Sequence, residues 1–156
     1  METITPLHWQ LLPFEALSPT ALYALLRLRS QVFVVEQQCV FLDMDNLDQQ
    51  CQHLLGWQGP LLAAYTRLVP PGLSYPGYPS IGRVVTAPEA RRQGLGRLLM
   101  QQSIEQVYQL FGRQAIKIGA QLYLKQFYES LGFAQAGPVY LEDGIEHIAM
   151  INNPAV

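Results

Sequence analysis

Charged residues and long apolar runs are scarce in this sequence, and each scarcity excludes a class of protein. Charged residues make up 14% of the chain and the net charge is −2, whereas a typical soluble domain is about 25% charged. A nucleic-acid partner is therefore not expected. No apolar run reaches the ~18 residues of a transmembrane helix, and the N-terminus lacks the basic and apolar regions of a secretory signal. We expect a cytoplasmic protein that does not contact a membrane.

Motifs for metal binding and hydrolysis are also missing. The two cysteines, Cys39 and Cys51, lie in no CxxC or Cys/His cluster, so reduced thiols are expected. Three aspartates, Asp43, Asp45 and Asp48, open like a calcium loop. However, the sixth and twelfth positions of that loop hold aspartate and leucine, where glycine and a chelating glutamate are required. HExxH, GxSxG and Walker-type lysine loops do not occur. No metal is expected.

The sequence does contain a regular succession of strand and helix patterns. Its 156 residues suit a single domain, 1–156. Ser18 and Pro19 are typical of a helix start, and an apolar stripe at helical spacing continues to Phe33. Turn residues at 58–60 and 143–144 predict two antiparallel hairpins. The predicted strands are 9–12, 53–57, 61–69, 80–86, 115–120 and the two flanking 143–144, and the predicted helices are 19–33, 94–111 and 124–131.

This order predicts an α+β or mixed α/β fold, with a parallel strand pair within 81–120 because a helix connects those two strands. Four of the ten basic residues fall between positions 83 and 97: Arg83, Arg91, Arg92 and Arg97. The segment 91–96 also carries two glycines between a strand and a helix, where unpaired N–H groups and the helix dipole favour a phosphate. Arg92 and Arg97 can bind a pyrophosphate, and Arg83 or Arg91 a further phosphate. Leu99 weakens a Rossmann interpretation, which needs a small residue there.

Two motifs resemble those of the GCN5-related N-acetyltransferases (GNAT). Arg91, Gly94 and Gly96, after the strand 81–86, resemble the family's R/Q-x-x-G-x-G/A motif, and residues 127–133, FYESLGF, resemble its YxxLGF signature. Segments 32–38 and 143–148 are similar to the ElaA-like branch. The resemblance covers the whole chain. It implies the GNAT fold, a mixed, mostly antiparallel sheet of six to seven strands that is splayed at the parallel pair of its fourth and fifth strands and is flanked by about four helices.

The resemblance also implies acetyl-CoA as cosubstrate and coenzyme A as product. Val84, Val85 and Thr86 would bind the pantetheine arm and the acetyl carbonyl. The remaining cofactor contacts would be Arg91, Arg92, Gln93, Gly94, Leu95, Gly96 and Arg97 around the pyrophosphate, together with Gln121, Phe127 and Tyr128. Tyr128 matches the tyrosine that protonates the departing thiolate, and a phenol with a pKa of about 10 carries its proton at neutral pH.

The acceptor side is defined less closely. The attacking amine must lose a proton. The candidates for the base are Glu36, His53 and His147, and of these we expect Glu36 to be the catalytic residue beside Tyr128. Arg29 and Glu36 both lie on the apolar stripe of the first helix, where polar groups must be paired or used. Either they bridge to each other or to another element, which we favour, or they line an acceptor pocket. In the second case Arg29, Phe33, Glu36, His53 and His147 would be the substrate-binding residues.

The predicted function is therefore direct transfer of an acetyl group from acetyl-CoA to a primary amine of an unidentified small molecule or peptide. One alternative is a non-catalytic acyl-CoA sensor. Another is an acyltransferase of the acyl-homoserine-lactone-synthase type, which shares an arginine, phenylalanine and glutamate pattern in its first helix. Exposed apolar strand edges are compatible with a homodimer.

Overall fold

Within the part of the chain that the structure describes, eight strands form two four-stranded sheets that meet along one seam. The computed structural model describes residues 6–155. Its strands are β1 (His8–Pro13), β2 (Gln52–Gln58), β3 (Leu61–Val69), β4 (Ser80–Thr86), β5 (Ile116–Gln121), β6 (Phe133–Gln135), β7 (Tyr140–Glu142) and β8 (Ile145–Asn152). Its helices are α1 (Pro19–Arg29), which a π-helix (Ser30–Glu36) continues, α2 (Leu95–Phe111) and α3 (Lys125–Glu129). The predicted mixed α+β fold is confirmed.

The sheets are antiparallel throughout. The first has the strand order β1-β2-β3-β4, and in the second β8 lies between β5 and β6 and also pairs with β7. Both predicted hairpins form, because Gly59 and Gly144 adopt the positive φ that tight turns require. Ser18 caps α1 by accepting a hydrogen bond from the Ala21 N–H at 3.1 Å. The three-residue strand β6 was not predicted, since it has no room to show alternation.

The seam lies between β4 and β5, which α2 connects. Near the start of both strands the Lys117 N–H donates to the Pro79 carbonyl at 3.1 Å. Within residues 6–155 no ladder of backbone hydrogen bonds continues from there between the two strands, and both then run along the same cavity. One edge of β4 therefore pairs with β3, while the other keeps its N–H and C=O groups available to a ligand.

A β-bulge distorts β4 beside this cavity. The register passes from Tyr65 opposite Val85 to Arg67 opposite Gly82, so two residues of β4 face one of β3. Arg83, in the bulge, has φ of +51°, which is uncommon for a residue with a side chain. Bulges of this kind change the direction of neighbouring side chains and are frequent next to active sites.

The first helix departs from the prediction after Arg29. A regular α-helix with 3.6 residues per turn would place residue 36 above residue 29, but residues 30–36 form a π-helix instead. The wider turns of the π-helix rotate Glu36 away from the helix face on which Arg29 and Val32 are buried. No helix among the described residues is long and apolar enough to span a bilayer.

Candidate active site

A cavity of about 370 Å³ occupies the seam between β4 and β5. The π-helix and the loop after it form a second wall, and α3 and the β7–β8 turn complete the lining. Of the residues predicted for the site, nine line this cavity: Phe33, Glu36, Val84, Val85, Thr86, Arg91, Gln121, Tyr128 and His147. The fold thus brings together residues from six separate elements that the sequence analysis selected on different grounds.

The β4 wall presents backbone as well as side chains. Six consecutive residues, 81–86, line the cavity, whereas a regular strand would turn only alternate side chains towards it. This continuity follows from the bulge at Arg83 and from the unpaired edge of β4. Preorganised N–H groups along such an edge can bind a carbonyl oxygen that gains negative charge during a reaction.

Tyr128, on α3, approaches the cavity from the opposite side. Its side chain packs edge-on against Phe127 and Phe133, and the residue is only 5% exposed. Burial, with a smaller contribution from Tyr123, raises the pKa of the Tyr128 phenol to about 12. The hydroxyl therefore keeps its proton at neutral pH and can donate it to a developing anion.

The glycine turn between β4 and α2 begins at the edge of the cavity. Gly94 has φ of +72° and Arg92 has φ of +67°, so the chain makes a left-handed turn before α2 starts at Leu95. The Leu95 side chain is buried in the core, which leaves its backbone N–H as its contribution to a ligand. Phe127 packs beneath the turn, 3.7 Å from where a Cβ on Gly96 would lie.

The arginines around this turn are not equally available. Arg91 donates two hydrogen bonds to Glu36, at 2.7 and 3.0 Å, and both side chains remain about 40% exposed. Arg97 donates to the Ser130 hydroxyl at 2.8 Å and lies over the Phe127 ring. Arg92 is exposed. Within residues 6–155 neither Arg92 nor Arg97 forms an ion pair with a carboxylate.

The second wall of the cavity is held by hydrogen bonds between segments that are distant in the sequence. Gln37 and Gln121 exchange side-chain hydrogen bonds at 3.3 and 3.4 Å, which connects the end of the π-helix to the end of β5. The Cys39 thiol donates to the Asp143 carbonyl at 3.2 Å, which connects the following loop to the β7–β8 turn. Neither connection was predicted, because a residue pair 84 or 104 positions apart leaves no local pattern.

Behind this wall lies an ion-pair cluster of three arginines and three aspartates: Arg29, Arg67, Arg83, Asp43, Asp45 and Asp48. Arg29 Nε lies 2.8 Å from Asp43, and Arg29 Nη1 lies 2.7 Å from Asp48. The formal charges of the cluster cancel. The aspartate run that opens like a calcium loop is thus neutralised by arginines from α1, β3 and β4.

The remaining contacts of the cluster come from β3 and β4. Arg67 holds both oxygens of Asp45, at 2.7 and 2.8 Å, while Arg83 donates to the Asp43 carbonyl at 2.8 Å. Burial alone would raise the pKa of Asp45, but the Arg67 hydrogen bonds and charge lower it to about 2. For Asp48 burial acts in the same direction, and the hydrogen bonds and charges of its arginine partners again lower the pKa.

Several expectations about single residues are corrected by these contacts. A bridge between Arg29 and Glu36 is wrong, because the π-helix separates them and each pairs with another element. Arg29 is fully buried in the ion-pair cluster and away from the cavity lining, so it does not face a substrate. Arg83 is likewise held by aspartates and not available to a phosphate.

His53 is also displaced from its expected role. Its Nε2 donates to the Asp48 carbonyl at 2.9 Å, and its Nδ1 accepts from the Tyr65 hydroxyl at 2.7 Å. The ring is fully buried, and this burial lowers the pKa of the imidazole despite the opposing hydrogen bond to Asp48. His53 therefore organises the ion-pair cluster and is not on the cavity lining.

The comparison with known proteins now decides the family. The profile of the Acetyltransferase (GNAT) domain matches residues 34–153. The chain belongs to the GNAT acetyltransferase family. Among its relatives is protein ElaA of Escherichia coli, 39% identical over 146 residues that cover 92% of this chain and 95% of ElaA. This agrees with the resemblance to the ElaA-like branch.

Solved structures of GNAT proteins superpose closely on this chain. The crystal structure of E. coli ElaA has a TM-score of 0.88 at 37% identity and covers 95% of this chain and 100% of its own. An acyl-CoA N-acyltransferase from Pseudomonas aeruginosa has a TM-score of 0.87 at 39% identity, with 93% and 99% covered. The acyl-homoserine-lactone synthase LasI has a TM-score of 0.77 at 13% identity, which shows a shared fold alone.

Proposed function

We propose that this GNAT protein transfers an acetyl group from acetyl-CoA directly to a primary amine of a small molecule or peptide. The observation that carries the proposal is the cavity wall formed by the unpaired edge of β4, which continues through a short 3₁₀-helix (Pro88–Ala90) into the glycine turn before α2. A thioester lying along that edge would place its phosphates at the turn and its carbonyl near Val85.

The size of the cavity supports a short acyl group and a small acceptor. Small-molecule sites usually enclose about 300–1,000 Å³, and this one, at about 370 Å³, lies at the lower end. The cavity must hold the end of the pantetheine arm, the acyl group and the amine together. A long acyl chain, as an acyl-homoserine-lactone synthase would use, leaves little room for the acceptor.

The proposed chemistry needs no covalent intermediate. The amine attacks the thioester carbonyl carbon, the backbone N–H groups near Val85 stabilise the oxyanion, and the carbon–sulfur bond breaks. Tyr128, whose phenol is protonated at neutral pH, then gives its proton to the sulfur. Cys39 lines the cavity, but its thiol already donates to a carbonyl, and the direct reaction does not require it.

Tyr128→Phe tests the catalytic part of the proposal. The readout is thiol release from acetyl-CoA with spermidine, kanamycin, L-lysine and trialanine as acceptors, together with thermal shift by acetyl-CoA. We expect the variant to lose about 10²–10⁴-fold in rate, as is usual for a lost general acid, while the thermal shift is retained. Release by the wild type with none of these amines, despite a thermal shift, would instead favour the sensor function.

A matched pair at Gly94 tests the phosphate site. Asn and Asp have nearly the same shape and both tolerate a positive φ, and nothing lies within 4 Å of the position where their Cβ would be. Gly94→Asp adds a negative charge where the phosphates would bind, so it should abolish the thermal shift by acetyl-CoA, whereas Gly94→Asn should keep most of it. Equal binding by both variants would contradict the phosphate site.

A further inference from the structure

His147, on β8, has one ring nitrogen committed to the backbone and the other 3.5 Å from Glu142, a second residue of the cavity lining. Its Nδ1 lies 2.7 Å from the Ile145 carbonyl oxygen. A carbonyl can only accept, so Nδ1 carries the proton. A neutral imidazole has a single N–H, and Nε2 therefore carries a lone pair. The side chain is 9% exposed and lines the cavity.

The orientation of this ring is fixed by its neighbours. Tyr140 stacks on it, with ring centroids 5.7 Å apart and planes inclined by 26°. The Tyr140 hydroxyl is in turn hydrogen-bonded to Tyr75, in the proline-rich loop before β4. On the other side of β8, Gln121 is the residue paired with His147 in the sheet register. The imidazole thus has a defined position with Nε2 as its reactive atom.

Glu142 can stabilise the protonated form of the ring. Its Oε2 lies 3.5 Å from His147 Nε2, close enough to attract an imidazolium but too far for a strong hydrogen bond. The carboxylate has nothing to accept from a neutral Nε2. The interaction therefore strengthens only after Nε2 takes up a proton, which is what a general base needs during the reaction.

The other two candidates for the base are occupied. Both oxygens of Glu36 accept hydrogen bonds from Arg91, and the two nitrogens of His53 are engaged by the Tyr65 hydroxyl and the Asp48 carbonyl. Of the three candidates, His147 alone combines a place on the cavity lining with an atom free to accept a proton.

We propose that His147 is the general base that deprotonates the acceptor amine, an assignment that rests on the acetyltransferase function proposed above. At neutral pH the acceptor amine is an ammonium ion, and it passes one N–H proton to His147 Nε2 before its nitrogen attacks the carbonyl carbon. The electron pair of the carbon–sulfur bond goes to sulfur, which takes the Tyr128 proton. The second N–H proton, which the nitrogen loses as the amide forms, restores the Tyr128 phenol, and the imidazolium releases its proton to solvent, so the enzyme returns to its starting state.

Other charged or titratable groups share the cavity lining with His147 or lie next to it. Glu142 and Tyr140 face it from β7, and Asp143 follows in the turn. Across the cavity lie Glu36 and Cys39 on the wall after α1, Arg83 and Arg91 from β4 and its turn, and Tyr123 and Tyr128 near α3. Glu36 pairs with Arg91, and Arg83 pairs with Asp43 of the ion-pair cluster. Glu142 is therefore the carboxylate whose removal should most affect His147.

The first test needs no acceptor. Nitrogen-15 NMR of the labelled histidines of the wild-type protein, assigned by comparison with His147→Gln and His8→Gln, reports which ring nitrogen is protonated. We expect the Nδ1–H form for His147 at neutral pH. An Nε2–H form overturns the proposal.

The second test is the pH profile of thiol release, with the most active amine of the four used above. His147→Gln should lose about 10²–10⁴-fold at pH 7 and keep its thermal shift with acetyl-CoA. The ratio of the wild-type rate to the variant rate should fall by roughly tenfold per pH unit, because the free amine, which needs no base, becomes more abundant as the pH rises. His8→Gln, at an exposed position on β1, is the control and should match the wild type.

Each outcome of these tests has one meaning. A deficit of His147→Gln that stays constant with pH indicates a structural role and overturns the proposal, and so does a wild-type rate. Absence of both acetyl-CoA binding and thiol release in the wild type would instead refute the proposed acetyltransferase. The NMR result still decides the protonation of His147 in that case.

Discussion

Replacing Arg29 with methionine should destabilise the fold far more than replacing any exposed arginine. Arg29 is 0% exposed and binds Asp43 and Asp48 at 2.8 and 2.7 Å. Removing one partner of a buried ion pair leaves the others uncompensated and costs about 3–5 kcal/mol. In a domain of this size each kcal/mol lowers the melting temperature by about 2–4 °C. The expected loss is therefore about 6–20 °C.

Arg91→Met is the matched control. It removes the same side chain from an ion pair whose members are 39% and 43% exposed, and exposed pairs contribute only about 0–1 kcal/mol. Urea unfolding at neutral pH, followed by circular dichroism, measures both variants, and the double variant Arg29→Met/Asp48→Asn measures the coupling. The prediction is wrong if the free energy of unfolding of Arg29→Met lies within 1 kcal/mol of the wild-type value. It is also wrong if Arg29→Met loses no more unfolding free energy than Arg91→Met does.

Three further predictions concern acid stability, thiol reactivity and close packing. The pKa of Asp45 is lowered to about 2 in the native state, from 3.8 when unfolded, so its ionised form stabilises the fold above pH 4. The free energy of unfolding should therefore fall as the pH drops from 4 to 2, and Asp45→Asn should make this fall smaller in acid titrations. Burial raises the Cys51 pKa to about 11, so the thiol should react with Ellman's reagent only after unfolding; rapid native-state reaction would contradict this. In Gly119→Ala the new Cβ would lie 2.8 and 2.9 Å from the Tyr140 and Tyr75 hydroxyls, costing about 1–3 kcal/mol in unfolding experiments.

Local patterns in the sequence were enough to predict most elements. The strands Leu61–Val69 and Ser80–Thr86 have the predicted bounds, and α2 starts one residue later than predicted. Each of these elements has a clear period in its apolar residues and a proline or glycine signal near its ends. Such information is contained within about ten neighbouring residues, and for that reason it can be interpreted without the tertiary structure.

The pairing of charges could not be predicted in the same way. The aspartates of the loop 43–48 meet arginines from α1, β3 and β4, up to 40 positions away. The one available signal was a matching number of charges: three arginines lie in predicted buried elements, and three aspartates lie in a single loop. The π-helix was missed for another reason. A stripe that contains both Arg29 and Glu36 requires a regular period of 3.6 residues per turn, and residues 30–36 do not keep that period.

The ion-pair cluster also has a consequence for how this protein can change. It fixes the loop after the π-helix, and with it one wall of the cavity, before any ligand arrives. The conformational entropy of ordering that wall is thus lost during folding and not during binding. Variants that reshape the loop will therefore trade away stability. A new acceptor preference is more readily selected through the exposed β7–β8 turn, where the Asp143 side chain lines the cavity and can vary while the buried charges stay balanced.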